Sequence, residues 1–272
     1  MITPLYGQLS PLRVPTSMRF ISNDADVVAY VLAVESADGD RLEDGVISAY
    51  NSFITGCKSD GIWSALKASC ILAGARTLSG ALVPLVGTAP TNNNFVSGDY
   101  NRETGLKGNA STKKLNANRL DNVDPQNSKH ISVYQTESEI RTLTGSIAKT
   151  AIAAPSTTTS SELLTYNNGR RFRLNSSAVS ATDSASSLYF WGASRSGASA
   201  QVMRFNGANT SSSLASATPS SGPIGVFNRG GASISSPSDA RISFYSIGEN
   251  IALAALDTRV SNLMTALAAA IP

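Results

Sequence analysis

The spacing of apolar and polar positions changes period twice along this chain. Residues 1–20 have no period: Pro4, Pro11 and Pro15 fall among scattered apolar residues, which defeats helix and gives no clean strand alternation. That stretch reads as an extended arm, either a frayed terminus or a segment that docks on a neighbouring subunit. From Ser22 a period of about 3.6 sets in, with Val27, Tyr30, Val31 and Val34 on one stripe, Ser22 or Asn23 placed to cap the first turn, and Gly39 as a stop. A second helix runs through Leu42, Val46, Ala49, Tyr50, Phe53 and Ile54 and ends near Gly56 or soon after. A third is expected from about Asp60, with Trp63, Leu66, Cys70 and Ala73 on one face. Residues 21–88 thus predict a three-helix bundle, marginal alone and needing a larger domain to pack on.

Residues 89–248 alternate with period two, broken by turn signals about every eight to twelve residues. In the clearest hairpin, Leu163–Tyr166 is followed by Asn167-Asn168-Gly169 and then Arg170–Leu174. Asn and Gly accept the positive φ that such a turn demands. Phe172 and Leu174 share one face of it, Arg171 and Arg173 the other. Alternation recurs at 188–191, 201–205 and 242–247, with runs near 94–97, 113–116, 131–136 and 224–228. About ten strands exceed one comfortable layer and fit two packed sheets, so the expected fold is mainly β, an antiparallel β-sandwich with jelly-roll connections. Residues 249–272 return to helix, with Leu256, Val260, Leu263, Leu267 and Ile271 on a stripe. This C-terminal helix either lies on the sandwich or forms a trimeric coiled coil, for which about two heptads is short.

Composition narrows the function classes. Charged residues make up 15% of the chain, below the roughly 25% usual in globular domains, and Ser, Thr, Asn, Ala and Gly fill the polar positions. Such a surface suits assembly or an outward-facing role. The net charge of +3 is spread with acids between the bases, and no basic stripe carries interleaved aromatics, so nucleic acid is not an expected partner. Mean hydropathy is -0.04. No apolar run reaches the roughly 18 residues of a membrane span, and Met1-Ile2-Thr3-Pro4 does not start a secretory leader, so cytoplasmic synthesis without membrane insertion is expected. Cys57 and Cys70, both in apparently helical patterns, read as buried free thiols in preference to a bridge.

Catalytic chemistry finds little to use. His130 is the only histidine, it begins an apparent strand, and no serine sits on a Gly-flanked elbow, so it reads as a hydrogen-bonded structural residue. Glu137 and Glu139 would share a strand face but lack the third acid of a jelly-roll glycosidase, and read as a solvated strand end. Asp99, Asp121, Asn122 and Asp124 could supply oxygen ligands to Ca²⁺ on a rim, though Asx residues more often stabilise turns. Gly230-Gly231 lacks the setting of a phosphate loop. No catalytic residue and no required cofactor are expected. Tyr134, Tyr189, Trp191 and Tyr245 fall in strands; exposed aromatics beside Asn, Ser and Arg stack on sugar rings, and buried ones fill sandwich cores. Tyr189, Trp191, Arg195, Arg171 and Arg173 form the candidate ligand-binding set on the strand pattern.

Three stretches then bear on family: Cys57-Lys58-Ser59-Asp60-Gly61-Ile62-Trp63 with 72–78 (LAGARTL); Phe95-Val96-Ser97-Gly98-Asp99-Tyr100-Asn101-Arg102 with 104–108 (TGLKG); and Arg241-Ile242-Ser243-Phe244-Tyr245-Ser246-Ile247-Gly248-Glu249. In that order they resemble structural proteins of tailed bacteriophages that carry a concanavalin A-like, laminin-G-type jelly roll behind a short helical segment. The resemblance spans about residues 24 to 270. It implies a virion protein, commonly a tail fibre or other appendage, that meets other virion proteins through its arm, presents the sandwich to a host-surface glycan, and is a homo-oligomer with a trimer favoured. The alternative is a capsid-decorating or head-fibre protein that binds only other virion proteins.

Overall fold

The computed structural model describes residues 21–139, 148–156, 159–166, 169–182 and 188–272. The expected arm and Asn167-Asn168 of the expected hairpin turn lie outside the described residues. In chain order the elements are α1 (Ala25–Asp38), α2 (Asp44–Ser59), β1 (Leu66–Ile71), α3 (Leu78–Ala81), β2 (Thr91–Asn93), β3 (Tyr100–Asn101), β4 (Gly105–Lys107), β5 (Lys114–Leu120), β6 (Lys129–Glu137), β7 (Ala148–Ala153), β8 (Ser160–Tyr166), β9 (Gly169–Ser176), β10 (Ser180–Thr182), β11 (Tyr189–Gly197), β12 (Ala200–Phe205), β13 (Ala208–Ser212), β14 (Pro223–Val226), β15 (Arg241–Gly248) and α4 (Leu253–Ala270).

The strands make two antiparallel sheets. One runs β13-β12-β11-β6-β15-β4-β3, with β1 sharing the outer edge of β15; the other runs β10-β9-β8-β7-β14-β5-β2. The chain passes between the sheets repeatedly, from β5 to β6, β6 to β7, β10 to β11, and β13 through β14 to β15, which gives a jelly-roll-like sandwich. No helix among the described residues is long and apolar enough to cross a membrane.

The centre of the first sheet, β11, β6, β15 and β1, is buried on both faces, and this decides most of what else is seen. Ile131, Val133, Trp191, Ala193, Tyr245 and Ile247 meet Ile152, Leu163, Phe172, Leu174 and Val226 of the second sheet in the sandwich core. On the opposite face Tyr134, Phe190 and Phe244 join Phe53, Ile54, Leu256, Val260 and Leu263 beneath the helices. The same arrangement corrects the expected third helix, because residues 66–71 form strand β1, paired with β15. Ala68, Cys70 and Leu72 point into the sandwich core, and Leu66, Ile71 and Ala73 into the helical cluster. A strand buried on both faces loses its polar alternate positions and imitates a buried helix.

The helical layer is therefore α1 and α2 closed by α4. Asp24, not Ser22 or Asn23, caps α1, its carboxylate accepting from the Asp26 and Val27 amides. Gly39 ends the helix at φ 72, its amide donating to Glu35 O. On α4, Leu256, Val260, Leu263 and Leu267 are buried against the rest of the chain. The stripe is thus used internally, as the reading of a helix laid on the rest of the fold expects.

The resemblance motifs fall at the joint between helices and sandwich. Tyr50 Oη donates to Ala73 O at 2.9 Å, and Arg102 donates to both Glu43 carboxylate oxygens at 3.0 and 2.7 Å and to Gly74 O. Gly74 has φ 88, and a Cβ there would lie 2.4 Å from Tyr50 Oη, so only glycine fits this crossing. Cys57 and Cys70 are both buried and free. They belong to different cores on opposite faces of the first sheet, and burial pushes each thiol up to about 12.

Candidate functional site

The structure separates the five residues of the sequence-derived ligand set. Trp191 and Arg195 alternate with Ala193 on the inner face of β11 and are fully buried. Trp191 lies 5.2 Å from the Arg170 guanidinium, which is itself 3.2 Å from the Phe205 ring centroid. Arg195 donates to the carbonyls of Leu174, Gly197, Ala198 and Leu214 and to Gln201 Oε1, at 2.7–3.2 Å. Arg173 is buried against Glu162, whose carboxylate also takes Arg229 at 2.6 Å. These three side chains are structural, and their assignment to an open binding surface is corrected. Arg171 remains half-buried on the second sheet, 3.6 Å over the Tyr166 ring, and Tyr189 is 59% exposed.

The candidate calcium ligands are dispersed as well. Asp99 pairs with Lys113, Asp121 with Lys129, and Asp124 with Arg119. Each carboxylate already has a cation, and no group of three metal-ligating side chains assembles among the described residues. Glu137 bonds Lys107 and Arg241, each at 2.5 Å, and these cations hold its carboxyl below the usual range. Glu139 is buried and accepts from Gln135, which corrects its reading as solvated.

His130 is fully buried. Its Nδ1 donates to Glu249 O at 2.5 Å, and its Nε2 accepts from Ser246 Oγ at 3.0 Å, so both nitrogens are used by the neutral ring. Desolvation is the main cause that moves its pKa down to about 4, the hydrogen bond to Glu249 and the charge of Asp124 opposing it. The unfolded imidazole titrates near 6.5. Between about pH 6.5 and 4 the unfolded chain takes up a proton that the folded chain refuses, so stability falls as pH falls through that window. Urea denaturation should show roughly 2–3 kcal/mol lost at this site between about pH 7 and 4.5, a loss that His130→Gln removes.

The surface feature that the strand pattern does not announce is the backbone at Tyr189. Opposite Gln135 and two residues before Trp191, its side chain would face inward by strand parity. Instead Tyr189 has φ 68, a left-handed conformation that costs a non-glycine residue roughly 1–2 kcal/mol. The ring is turned to the other face, where its centroid lies 6.0 Å from that of Tyr134 at 59°. Two further costs sit at this end of the sandwich: Gln135 Oε1 and Trp191 Nε1 are buried without hydrogen-bond partners.

From Tyr189 a line of polar groups follows the flank of α4. Tyr134 lies beside Asp257 and Ser261 of that helix. Ser261 Oγ donates to Asp257 Oδ1 at 3.2 Å, Asp257 Oδ2 accepts from Arg204 Nε at 2.7 Å, and Arg204 Nη1 donates to Asn209 Oδ1 at 3.1 Å. Asn209 borders a cleft of about 160 Å³ with Ser194, Ser196, Asn250 and the start of α4. Asp257 and Ser261 share the flank because they are four residues apart on the helix. The distance along α4 from Leu253 to Ser261 is about 12 Å. An exposed aromatic face beside fixed hydroxyl, amide and charged groups can stack on a ring and bond its substituents.

No family model and no curated protein matches this chain. Among solved structures it is similar to the botulinum neurotoxin serotype D binding domain, with 13% identity, a TM-score of 0.50, and 73% of this chain and 51% of that one covered. It is similar to the serotype G binding domain at 12% identity and a TM-score of 0.50, over 72% and 51% of the two chains. A third is a botulinum neurotoxin type C structure described as showing cell entry dependent upon interaction with two ganglioside molecules, at 9% identity, TM-score 0.52, and 75% and 53% coverage. This chain spans about half the length of those chains, and the likeness is one of fold.

Proposed function

We propose that this chain is a non-enzymatic attachment protein that holds a cell-surface glycan on its β-sandwich. The observation that carries the reading is Tyr189, a strand-end aromatic turned out to solvent by a strained backbone and propped by Tyr134. A sandwich shared with binding domains, one of them described in terms of gangliosides, supports it by analogy of fold. The ordered motifs that resemble tailed-phage proteins support the reading of such a subunit in a tail fibre or other virion appendage, where several copies would multiply weak sugar contacts by avidity. The test is adsorption of the purified full chain to host cells and to an immobilised glycan library, together with antibody labelling of the particle. Glycan-dependent adsorption and label on the tail are expected. Label on the head with no glycan retained would replace this reading by the capsid-decorating one.

A further inference from the structure

We infer that the flank of α4 is a site for neutral saccharides, with a hexopyranose ring stacked on Tyr189, and that it discriminates against sialylated and sulfated glycans. The inference rests on the attachment reading and adds its ligand class.

Charge decides the class. A carboxylate or sulfate leaving water needs a cation that nothing else has neutralised. Among the described residues the cation on this flank is Arg204, and Asp257 already takes it at 2.7 Å with both side chains about 15% exposed. Arg259, the one cation of α4, is bonded to Asp60 of the segment after α2. Along this flank the described polar groups are then Ser261, Asn209 and a neutralised Arg204–Asp257 pair. An acidic sugar placed here would meet the Asp257 carboxylate with no unmatched positive charge among the described residues of the flank to offset it. Hydroxyl groups, which donate and accept, match amide, hydroxyl and carboxylate atoms without a net charge. The aromatic face supplies the apolar half of the contact, since the C–H face of a pyranose is what a ring of this exposure can cover.

The experiment is an array of neutral gluco- and galacto-oligosaccharides beside their sialylated and sulfated counterparts, probed with the full chain and two variants. The unmodified chain should bind neutral members at least ten-fold better than acidic ones. Tyr189→Ala should lose at least ten-fold on the neutral members with an unchanged circular-dichroism spectrum. Asp257→Asn, which leaves Arg204 unmatched, should narrow the preference or turn it toward acidic glycans. A preference of the unmodified chain for acidic glycans would overturn the ligand class and leave the attachment reading standing. Neutral binding untouched by Tyr189→Ala would overturn the site. Retention of no glycan at all would overturn the attachment reading and this inference with it.

Discussion

Lys129→Met should destabilise the protein by about 3–5 kcal/mol and lower the melting temperature by roughly 10 °C. Lys129 and Asp121 are both fully buried, with Nζ 2.7 Å from Oδ1, and the ammonium also donates to the Asp121 carbonyl. Asp121 Oδ2 accepts from the amide and hydroxyl of Ser220. Removing the ammonium leaves a carboxylate inside the protein with two neutral donors and no counter-charge. The penalty is thus mostly the stranded ion and only partly a lost bond. Replacing both partners, Lys129→Met with Asp121→Leu, removes the stranded ion and should recover a large part of the loss. Urea denaturation of the two variants checks this. A double variant no more stable than the single one would show that the pair contributes geometry which packing cannot replace.

Arg195→Leu carries the second large effect, about 3–5 kcal/mol, because its five contacts lie wholly inside the fold. The guanidinium stitches β9, the turn from β11 to β12, and the segment at Leu214, and no carboxylate pairs with it among the described residues. Burial lowers its pKa, so charge is costly here and the carbonyl dipoles hold it. Leucine would remove the guanidinium from all five acceptors; Ala198 O keeps the Ser216 amide and Gln201 Oε1 the Leu174 amide, and each acceptor left with no donor costs about 1–3 kcal/mol before water enters and before the relief of no longer burying a cation. Arg195→Lys should fall between, since three donors on a point charge cannot reproduce a planar fork. A surface ligand residue would behave in the opposite way, losing affinity while the denaturation midpoint stayed in place.

The hydrophobic pattern carried the sandwich well where one face of a strand is wet or where a turn is marked, as in β8 and β9 around Gly169. It failed where burial was two-sided or absent. β1 is apolar on both faces and imitates helix; β13, Ala208–Ser212, is polar on both because it is an exposed edge. β7, Ala148–Ala153, is built of small residues that give no period. The run near 94–97 is a loop, since Asn94 has φ 70 and Val96 is exposed, and the strand lies just before it at Thr91–Asn93.

The candidate site was less legible for a related reason. Alternation tells which residues share a face but not which face is inside, so Tyr189, Trp191 and Arg195 were grouped when only Tyr189 reaches solvent. Nothing in a tyrosine signals positive φ, in contrast to the Asn-Gly of a tight turn. Asp257 and Arg204 are 53 residues apart, and only the docking of α4 on β11 and β12 brings them together. Two motif residues, by contrast, are explained by the joint they build: Gly74 and Arg102 meet Tyr50 and Glu43 where the helices lock to the sandwich.

The most direct test is a crystal structure of the full chain soaked with a neutral oligosaccharide retained by the array. A pyranose ring is expected over Tyr189, with hydroxyl groups bonded along α4 toward Asn209. Sugar bound elsewhere on the sandwich, with the Tyr189 ring left bare, would contradict it.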